Sequence, residues 1–187
     1  MSLRIFFLAV MSILFFLSCE DNDNKTEEKP IIALLDQPGL VIDTGQTAVQ
    51  WIYGFSFSTI KDGEIKGLGM KLPTKGSYLV RLWNLDDDTL LKEETLTAIT
   101  DHEVVYNTIP DIAIQKNIQL GVTIQAGSFY KIRKTDNSDF TFPLQSGNIR
   151  LLSFRESKVS ENILGRFPTM IKNDEISPCI DVIFLED

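Results

Sequence analysis

The stretch Val49-Gln50-Trp51-Ile52-Tyr53-Gly54-Phe55-Ser56-Phe57-Ser58 decides the fold class of this chain. Aromatic side chains occupy every second position of it, at Trp51, Tyr53, Phe55 and Phe57. A period of two is that of a β-strand, whose successive side chains point to opposite faces of a sheet. The stretch therefore predicts a strand that turns a continuous aromatic face towards one side of its sheet.

Further alternating segments follow along the chain, and Gly, Pro, Asn and Asp separate them at the spacing of a β-sandwich. The segment 111–118 has a helical look, but Pro110 precedes it and β-branched residues dominate it, so we expect no helix there. The prediction is an all-β chain: a single antiparallel β-sandwich of about nine strands, without a helix in the domain. The further strands are predicted at 65–72, 77–84, 90–96, 102–107, 118–124, 129–133, 149–154 and 176–185.

The first eighteen residues have the three parts of a signal peptide. Arg4 supplies a positive charge, an apolar run of about 13 residues extends from Ile5 to Leu17, and Ser18 is a small residue at the cut site. The run is too short for a spanning helix, which needs about 20 residues. Residues 1–18 are therefore predicted to be removed.

The residues around the cut site, Phe16-Leu17-Ser18-Cys19, resemble a lipobox. The resemblance implies cleavage before Cys19 and diacylation of that cysteine, which would anchor the mature chain in a membrane through its N-terminal lipid. The alternative is a plain secreted protein with an incidental cysteine. Once Cys19 carries lipid, Cys179 has no partner for a disulfide, and we expect it to be a small buried apolar residue.

The segment after the lipobox, Glu20 to Pro30, is charged and lacks the apolar residues of a core. We interpret residues 19–30 as a disordered tether and residues 31–187 as the sandwich domain. The acidic cluster after Cys19 also resembles the export signal of surface lipoproteins in some Gram-negative bacteria. That resemblance implies the outer face of the outer membrane, and the periplasmic face is the alternative.

The charge balance limits the classes of partner. The formal net charge of the 187-residue chain is −8, whereas a nucleic-acid partner would require Lys and Arg to neutralise its phosphates. The same charge argues against electrostatic docking onto anionic lipid. The membrane contact that we expect is therefore the lipid on Cys19, and nucleic acid is excluded as a partner class.

Two stretches resemble domain of unknown function family 4082. The first runs from Gly76 to Asn84, and the second combines Arg166-Phe167-Pro168 with Ile180 to Phe184. That family occurs in bacterial extracellular proteins, often beside carbohydrate-active modules. The resemblance implies a jelly-roll-like or immunoglobulin-like sandwich and contributes no catalytic motif. Asn84 departs from the family pattern, which has Asp at that position.

Three aromatic residues are candidates for ligand binding. Trp51, Tyr53 and Trp83 could form a sugar-stacking platform, since aromatic rings offer broad apolar faces. The alternative places Trp51 and Tyr53 on the inward face of the sandwich, where alternating aromatic residues usually lie. Trp83 is less decided, because both faces of its strand are apolar.

Polar residues offer three weaker candidates. Asn84, Asp86, Asp87 and Asp88 place several oxygen ligands in one turn, as a structural calcium ion would need, with a solvated hairpin turn as the alternative. His102, the chain's single histidine, is expected to be a solvated turn residue. The basic segment 129–134 is expected to be a solvated strand end, with anion binding as the alternative. We expect no other cofactor.

Three functions follow from these features. We expect a non-catalytic binding or adhesion module of the cell envelope. Glycan is the favoured ligand class, because members of the family that the chain resembles often occur beside carbohydrate-active modules. The alternative is a structural or accessory lipoprotein that contacts other envelope proteins, which an exposed apolar patch or an unpaired edge strand would support. The least favoured is a glycoside hydrolase with two carboxylates in a cleft.

Overall fold

The computed structural model describes residues 25–162, 166–177 and 179–187. Cys19, the lipobox and the first part of the expected tether lie outside these residues. The described chain forms one short helix, α1, which is Pro30–Leu35, and a 3₁₀ turn at Val159–Glu161. Its strands are β1 Leu40–Thr59, β2 Gly63–Lys71, β3 Gly76–Asn84, β4 Thr89–Ala98, β5 Val104–Ile114, β6 Leu120–Lys134, β7 Leu144–Ser146, β8 Ile149–Lys158, β9 Met170–Lys172 and β10 Ile180–Glu186.

The strands form two antiparallel sheets that pack as a sandwich. The larger sheet has seven strands in the order β4-β3-β6-β1-β8-β7, and β9 also pairs with β8. The smaller sheet has three strands in the order β10-β2-β5. Every strand pairing is antiparallel. The predicted all-β antiparallel sandwich is thereby confirmed.

The aromatic face of β1 lies in the core between the sheets. Tyr53, Phe55 and Phe57 are buried there, and the Phe55 ring packs against Phe154 with 5.7 Å between ring centroids. Burial of each such side chain stabilises the fold by about 1.5–3 kcal/mol. Cys179 is also fully buried in this core, as the sequence predicts.

The start of the domain contains a helix, where the sequence predicts none. Residues Pro30–Leu35 form a helix whose first turn holds a proline, and Ile31 and Leu34, three positions apart on one face, enter the core. The helix packs against β10 of the smaller sheet and β7 of the larger one. Glu28, within the expected tether, contacts the sandwich, because its backbone pairs with Phe184 on the outer edge of β10.

Two strands have other bounds than the alternation predicts. Strand β6 is continuous through Gly127, because Ser128 and Ala126 on either side of it both pair with β1, across an irregularity in β1 between Gln46 and Trp51. The sequence had suggested two strands there. Strand β5 continues through Pro110, where its register against β2 shifts. A proline is tolerated at that point because β5 is an edge strand.

We predict that Thr59→Val raises the free energy of unfolding by about 1 kcal/mol or more, because it removes an unsatisfied buried hydroxyl while keeping the side-chain shape. Thr59 is fully buried in β1, and its Oγ1 has no hydrogen-bond partner among the described residues. Urea denaturation measures the change. Thr123→Val is the matched control and should destabilise, since Thr123 Oγ1 accepts a hydrogen bond from Trp83 Nε1. A loss of stability in Thr59→Val would contradict the prediction.

Candidate functional site

The three aromatic candidates do not form one exposed surface. Tyr53 is 2% exposed and Trp83 is 7% exposed. They lie on opposite faces of the larger sheet, because Tyr53 belongs to the core cluster whereas Trp83 donates its indole N–H to Thr123 on the outer face, at 3.2 Å. Trp51 is half-buried, and Lys158 Nζ lies 5.7 Å from its ring centroid. The predicted sugar-stacking platform is therefore absent.

The acidic turn after β3 is held by its own hydrogen bonds. Asn84 Oδ1 accepts the backbone N–H of Asp86 at 3.0 Å. Asp87 Oδ1 accepts both the backbone N–H of Thr89, at 3.2 Å, and its hydroxyl, at 2.7 Å. Asp88 adopts a positive φ of 57°, as turn residues do. Within the described ranges, no three His, Cys, Asp or Glu side chains gather as a metal site would require, so the predicted calcium site is not assembled here.

His102 lies exposed in the turn between β4 and β5, as predicted, with a φ of 63°. Its Nδ1 is 2.7 Å from the hydroxyl of Tyr130. The two side chains fix the turn against β6, and among the described residues no serine, threonine or cysteine is hydrogen-bonded to the ring. The histidine therefore has a structural role in this turn.

Two of the three cations in the basic segment at the end of β6 pair with carboxylates. Lys131 Nζ lies 3.2 Å from Glu175, and Arg133 lies 3.3 Å from Asp43. Lys134 donates to the neutral backbone carbonyl of Asp139 at 2.7 Å. Most of the positive charge of the segment is therefore compensated, and that of Lys134 is not.

A cavity of about 580 Å³ lies beyond the end of β8, between β8, β9 and the connection that joins them. We call it the β8–β9 cavity. Its exposed lining area is mostly apolar, and six of its nine lining residues supply polar groups, so a ligand could find both apolar contact and hydrogen bonds there. Phe167 and Pro168, which the family resemblance singled out, are buried in its wall. The lining residues are Glu156, Ser157, Glu161, Asn162, Arg166, Phe167, Pro168, Thr169 and Met170.

The side chain of Asn162 braces this connection. Its Oδ1 accepts the backbone N–H of Arg166 at 2.9 Å, and its Nδ2 donates to the backbone carbonyl of the same residue at 2.6 Å. Nδ2 also lies 3.4 Å from Ser157 Oγ on β8. The Asn162 amide thus pairs with both backbone groups of Arg166, as a residue of a neighbouring strand would. Its contact with Ser157 also joins the connection to strand β8.

Phe167 is seated on the outer face of the larger sheet. Its ring lies directly over Gly121 of β6, where any side chain would collide with it. The Arg155 guanidinium lies 5.8 Å from the ring centroid, at the distance of a cation–π contact. The glycine is therefore required at this position, because it gives the ring room to cover the sheet and close one wall of the cavity.

Two glutamates line the cavity. Glu156 is half-buried on β8, and desolvation by its surroundings raises its pKa, against the opposing pull of Lys172. Glu161 lies on the 3₁₀ turn and pairs with Lys158 at 3.0 Å. A hydrolase would need one raised-pKa acid and one ionised carboxylate, and this pair is where such chemistry would reside. The expectation of a non-catalytic module, with a glycoside hydrolase as the least favoured alternative, stays a prediction.

A second cavity, of about 510 Å³, opens between the sheets at the opposite end of the sandwich. Leu91, Ile114 and Leu120 belong to its apolar lining, and Asp62 and Asp187 to its polar one. Its polar groups are engaged in the fold: Asp62 accepts a backbone N–H at 2.7 Å and a second one through its carbonyl. Fewer groups are left to specify a ligand here than around the β8–β9 cavity.

Asp181 is a residue whose importance the sequence reasoning missed. It is the one charged side chain that is buried among the described residues. Its carboxylate accepts the backbone N–H groups of Ile31 and Ile32 at 3.1 Å each, that of Val182 at 2.9 Å and the Tyr106 hydroxyl at 2.8 Å. It thus caps α1 and fixes the N-terminal segment to the smaller sheet. The sequence signal for this role was an acidic residue within the apolar run of β10.

No protein-family model matches this chain, and no curated protein is significantly similar to it. The resemblance drawn from short motifs therefore stays a prediction. None of the helices described in the structure is long and apolar enough to span a bilayer.

We predict that wild type gains stability over Asp181→Asn by about 2 kcal/mol as the pH falls from 6 to 4. Burial raises the pKa of Asp181 from 3.8 to about 6, although its hydrogen bonds act in the opposite direction. Between these values the folded state binds the proton more tightly than the unfolded state, so protonation stabilises the fold and the gain is lost as the pH rises through 6. Asparagine does not titrate.

Urea denaturation of both proteins at pH 4, 5, 6 and 7 measures this difference. Groups such as Glu156 that titrate in the same range are present in both proteins and cancel in the comparison. A difference that stays constant over the range would show that the four hydrogen bonds offset the desolvation of the carboxylate.

Proposed function

We propose that this chain is a lipid-anchored protein of the bacterial cell envelope whose sandwich is a non-catalytic module that binds a protein partner through the β8–β9 cavity. The observation that carries the proposal is the exposed apolar strand β9, which borders that cavity through Met170. Met170 and Ile171 of β9 are 48% and 54% exposed. Large apolar side chains exposed beside a concave surface are typical of protein contacts.

Protein is a better fit than glycan to the surface that the structure leaves free. The large hydrophobic side chains exposed on the described residues are all aliphatic or methionine, and none is aromatic. Tyr53 and Trp83 are buried, and Trp51 carries Lys158 over its ring. Sugar recognition by stacking would need a free aromatic face. The exposed aliphatic surface therefore supports the accessory-lipoprotein alternative over the glycan ligand expected from the sequence.

The shape of the site favours an extended segment as the bound part of the partner. Strand β9 is three residues long and pairs with β8 on one side, so its other side is an edge. An added strand would gain main-chain hydrogen bonds at such an edge. Its alternate side chains would enter the cavity, where the buried Phe167 and Pro168 supply apolar contact and Arg166 supplies a donor at the rim.

The anchor in this proposal is supported by the sequence. Cys19 lies outside the described residues, and the lipobox resemblance at residues 16–19 supports its acylation. The outer face of the outer membrane is the proposed location, from the acidic residues that follow, and the periplasmic face is the alternative. Because non-catalytic binding needs only the folded sandwich, the proposal requires no cofactor.

We predict that Cys19→Ala abolishes acylation. Cells grown with radiolabelled palmitate should incorporate label into the wild-type protein, and the variant should remain an unlabelled precursor of higher mass, because a lipoprotein is cleaved only after its cysteine is acylated. Cys179→Ala is the matched control and should be labelled like wild type. Label on Cys19→Ala, or none on wild type, would refute the anchor.

We predict that a photo-crosslinking amino acid at Met170 traps a protein partner in intact cells and that the same group at Ile99 does not. Ile99 is 75% exposed on the β4–β5 connection, so it is a matched apolar position away from the cavity. Adding Ile171→Glu to the Met170 probe should lower the yield by about tenfold or more, since burying an unpaired charge costs well over 1.4 kcal/mol.

Three outcomes of the crosslinking experiment would oppose the proposal. The two probes could give the same products, the Met170 probe could give none, or its product could be a polysaccharide, which would restore the glycan alternative. Ile171 is exposed, so its substitution should leave the fold stable to within about 0.5 kcal/mol. A thermal melt checks that point.

A further inference from the structure

The second cavity, of about 510 Å³, lies where the two sheets part along one edge of the sandwich. We call it the seam cavity. The end of β5, from Ile112 to Gln115, bounds it on one side, and Asn84 of β3 and Leu91 of β4 bound it on the other. Strands β4 and β5 are the outermost strands of their sheets. Since cavities of about 300–1,000 Å³ take small-molecule ligands, the seam cavity is large enough for one.

The wall of the seam cavity is aliphatic. Its large apolar side chains are leucines and isoleucines, namely Leu91, Ile112, Ile114, Ile118 and Leu120. Ile114 and Leu120 are buried, and Ile112 and Ile118 are half-buried. Such a wall favours an alkyl chain, because each methylene that it removes from water raises the affinity about fourfold.

A bulge in β4 supplies the most exposed part of this wall. Leu82 pairs with Lys92 and Trp83 pairs with Leu90, so Leu91 is the extra residue of β4 between these two pairs. A bulge re-aims a side chain and is frequent next to binding sites. Leu91 lines the cavity and is 36% exposed, so a ligand would cover apolar surface that now faces water.

The rim of the seam cavity carries negative charge. Asp62 and Asp187 belong to its lining and lie side by side, because the Asp187 backbone N–H donates to the Asp62 carbonyl at 3.2 Å. Both residues are exposed. Within the described ranges, neither carboxylate forms an ion pair with a Lys or Arg. Asp62 Oδ1 accepts the backbone N–H of Lys116, which leaves its other oxygen for a ligand.

The cations near the rim do not cancel this charge. Lys61 Nζ already lies 3.8 Å from Glu186. Lys116 is exposed, and a third carboxylate, that of Asp86, lies close to the wall because it accepts the backbone N–H of Gln119 at 3.2 Å. Three carboxylates thus face one lysine. A rim with this balance attracts a cation and repels an anion.

We propose that the seam cavity binds a small molecule that combines an aliphatic chain with an ammonium group. The chain lies against Leu91 and the isoleucines of the wall, and the ammonium group donates hydrogen bonds to the carboxylates of Asp62 and Asp187. An alkyl carboxylate of the same length is repelled by the rim, and an alkyl alcohol lacks the charge. The site shares no lining residue with the β8–β9 cavity, so it does not depend on the proposed function.

A methyl NMR titration tests the site on the full chain in lipid nanodiscs. Isotope-labelled isoleucine and leucine methyl groups report contacts at the wall while n-hexylamine, n-hexanol or hexanoate is added at neutral pH and low salt. We expect n-hexylamine to shift the Leu91, Ile112 and Ile114 resonances and to bind about tenfold or more tightly than hexanoate, because each exposed carboxylate favours the cation and disfavours the anion. n-Butylamine, which is two methylenes shorter, should bind about tenfold more weakly than n-hexylamine.

Matched variants test the role of the rim. Asp62→Asn and Asp187→Asn should each weaken n-hexylamine binding about threefold and leave n-hexanol binding unchanged. Asparagine at position 62 keeps an oxygen that accepts the Lys116 N–H. Asp36→Asn is the control, because it makes the same change in net charge at an exposed acid that precedes β1, whereas Asp62 follows β1. It should bind n-hexylamine like wild type.

Each contrary result overturns the proposal. Equal affinities for the amine, the alcohol and the carboxylate would show that the rim does not select charge. Shifts spread over methyl groups far from the wall, or no shift at millimolar amine, would show that the cavity is not the site. An equal loss in Asp36→Asn and Asp62→Asn would assign the attraction to net charge. Empty nanodiscs correct for partition of each compound into lipid, and a thermal melt checks that each variant is folded.

Discussion

The double pairing of β1 is the constraint on which the rest of the structure depends. Its second half is hydrogen-bonded to β6 on one side and to β8 on the other. Because side chains alternate along a strand, this pairing commits Tyr53, Phe55 and Phe57 to the core and the small residues Gly54 and Ser56 to the outer face. Gly121, the β6 neighbour of Ser56, carries the Phe167 ring. Strand β1 thus supplies core side chains on one face. On its other face it supports Gly121, against which the Phe167 ring of the cavity packs.

Much of the fold follows from local sequence. The aromatic alternation around Phe55 gives the strand and its buried face, and the strands from β2 to β4 lie where alternation and turn residues predict them. The helix at Pro30–Leu35 was missed because six residues hold too few turns for a periodic signal. Its stability comes from Asp181 at the far end of the chain, a partner that no local pattern shows.

The candidate site was less accessible to sequence reasoning. The strand around Trp83 is apolar on both faces, so its sequence does not show which side chains are buried. In the structure Trp83 lies buried on the outer face, where its indole N–H is hydrogen-bonded to Thr123. The β8–β9 cavity depends on the Asn162 amide closing onto Arg166 and on a phenylalanine seated over a distant glycine. Such contacts join residues far apart in sequence, so composition and spacing carry no trace of them. The motif Arg166-Phe167-Pro168 drew attention to this segment, but it did not indicate that Phe167 packs over Gly121.

Both edge strands of the smaller sheet carry a residue that blocks pairing, which affects how neighbouring molecules can associate. Glu28 occupies the free side of β10. On the other side, Pro110 interrupts β5 with a residue that has no N–H to donate, where the register also shifts. An unprotected edge would let neighbouring molecules join their sheets into a growing ribbon. Because Glu28 and Pro110 remove free pairing positions at both edges, copies of the protein that meet edge to edge have fewer main-chain groups through which to extend this sheet.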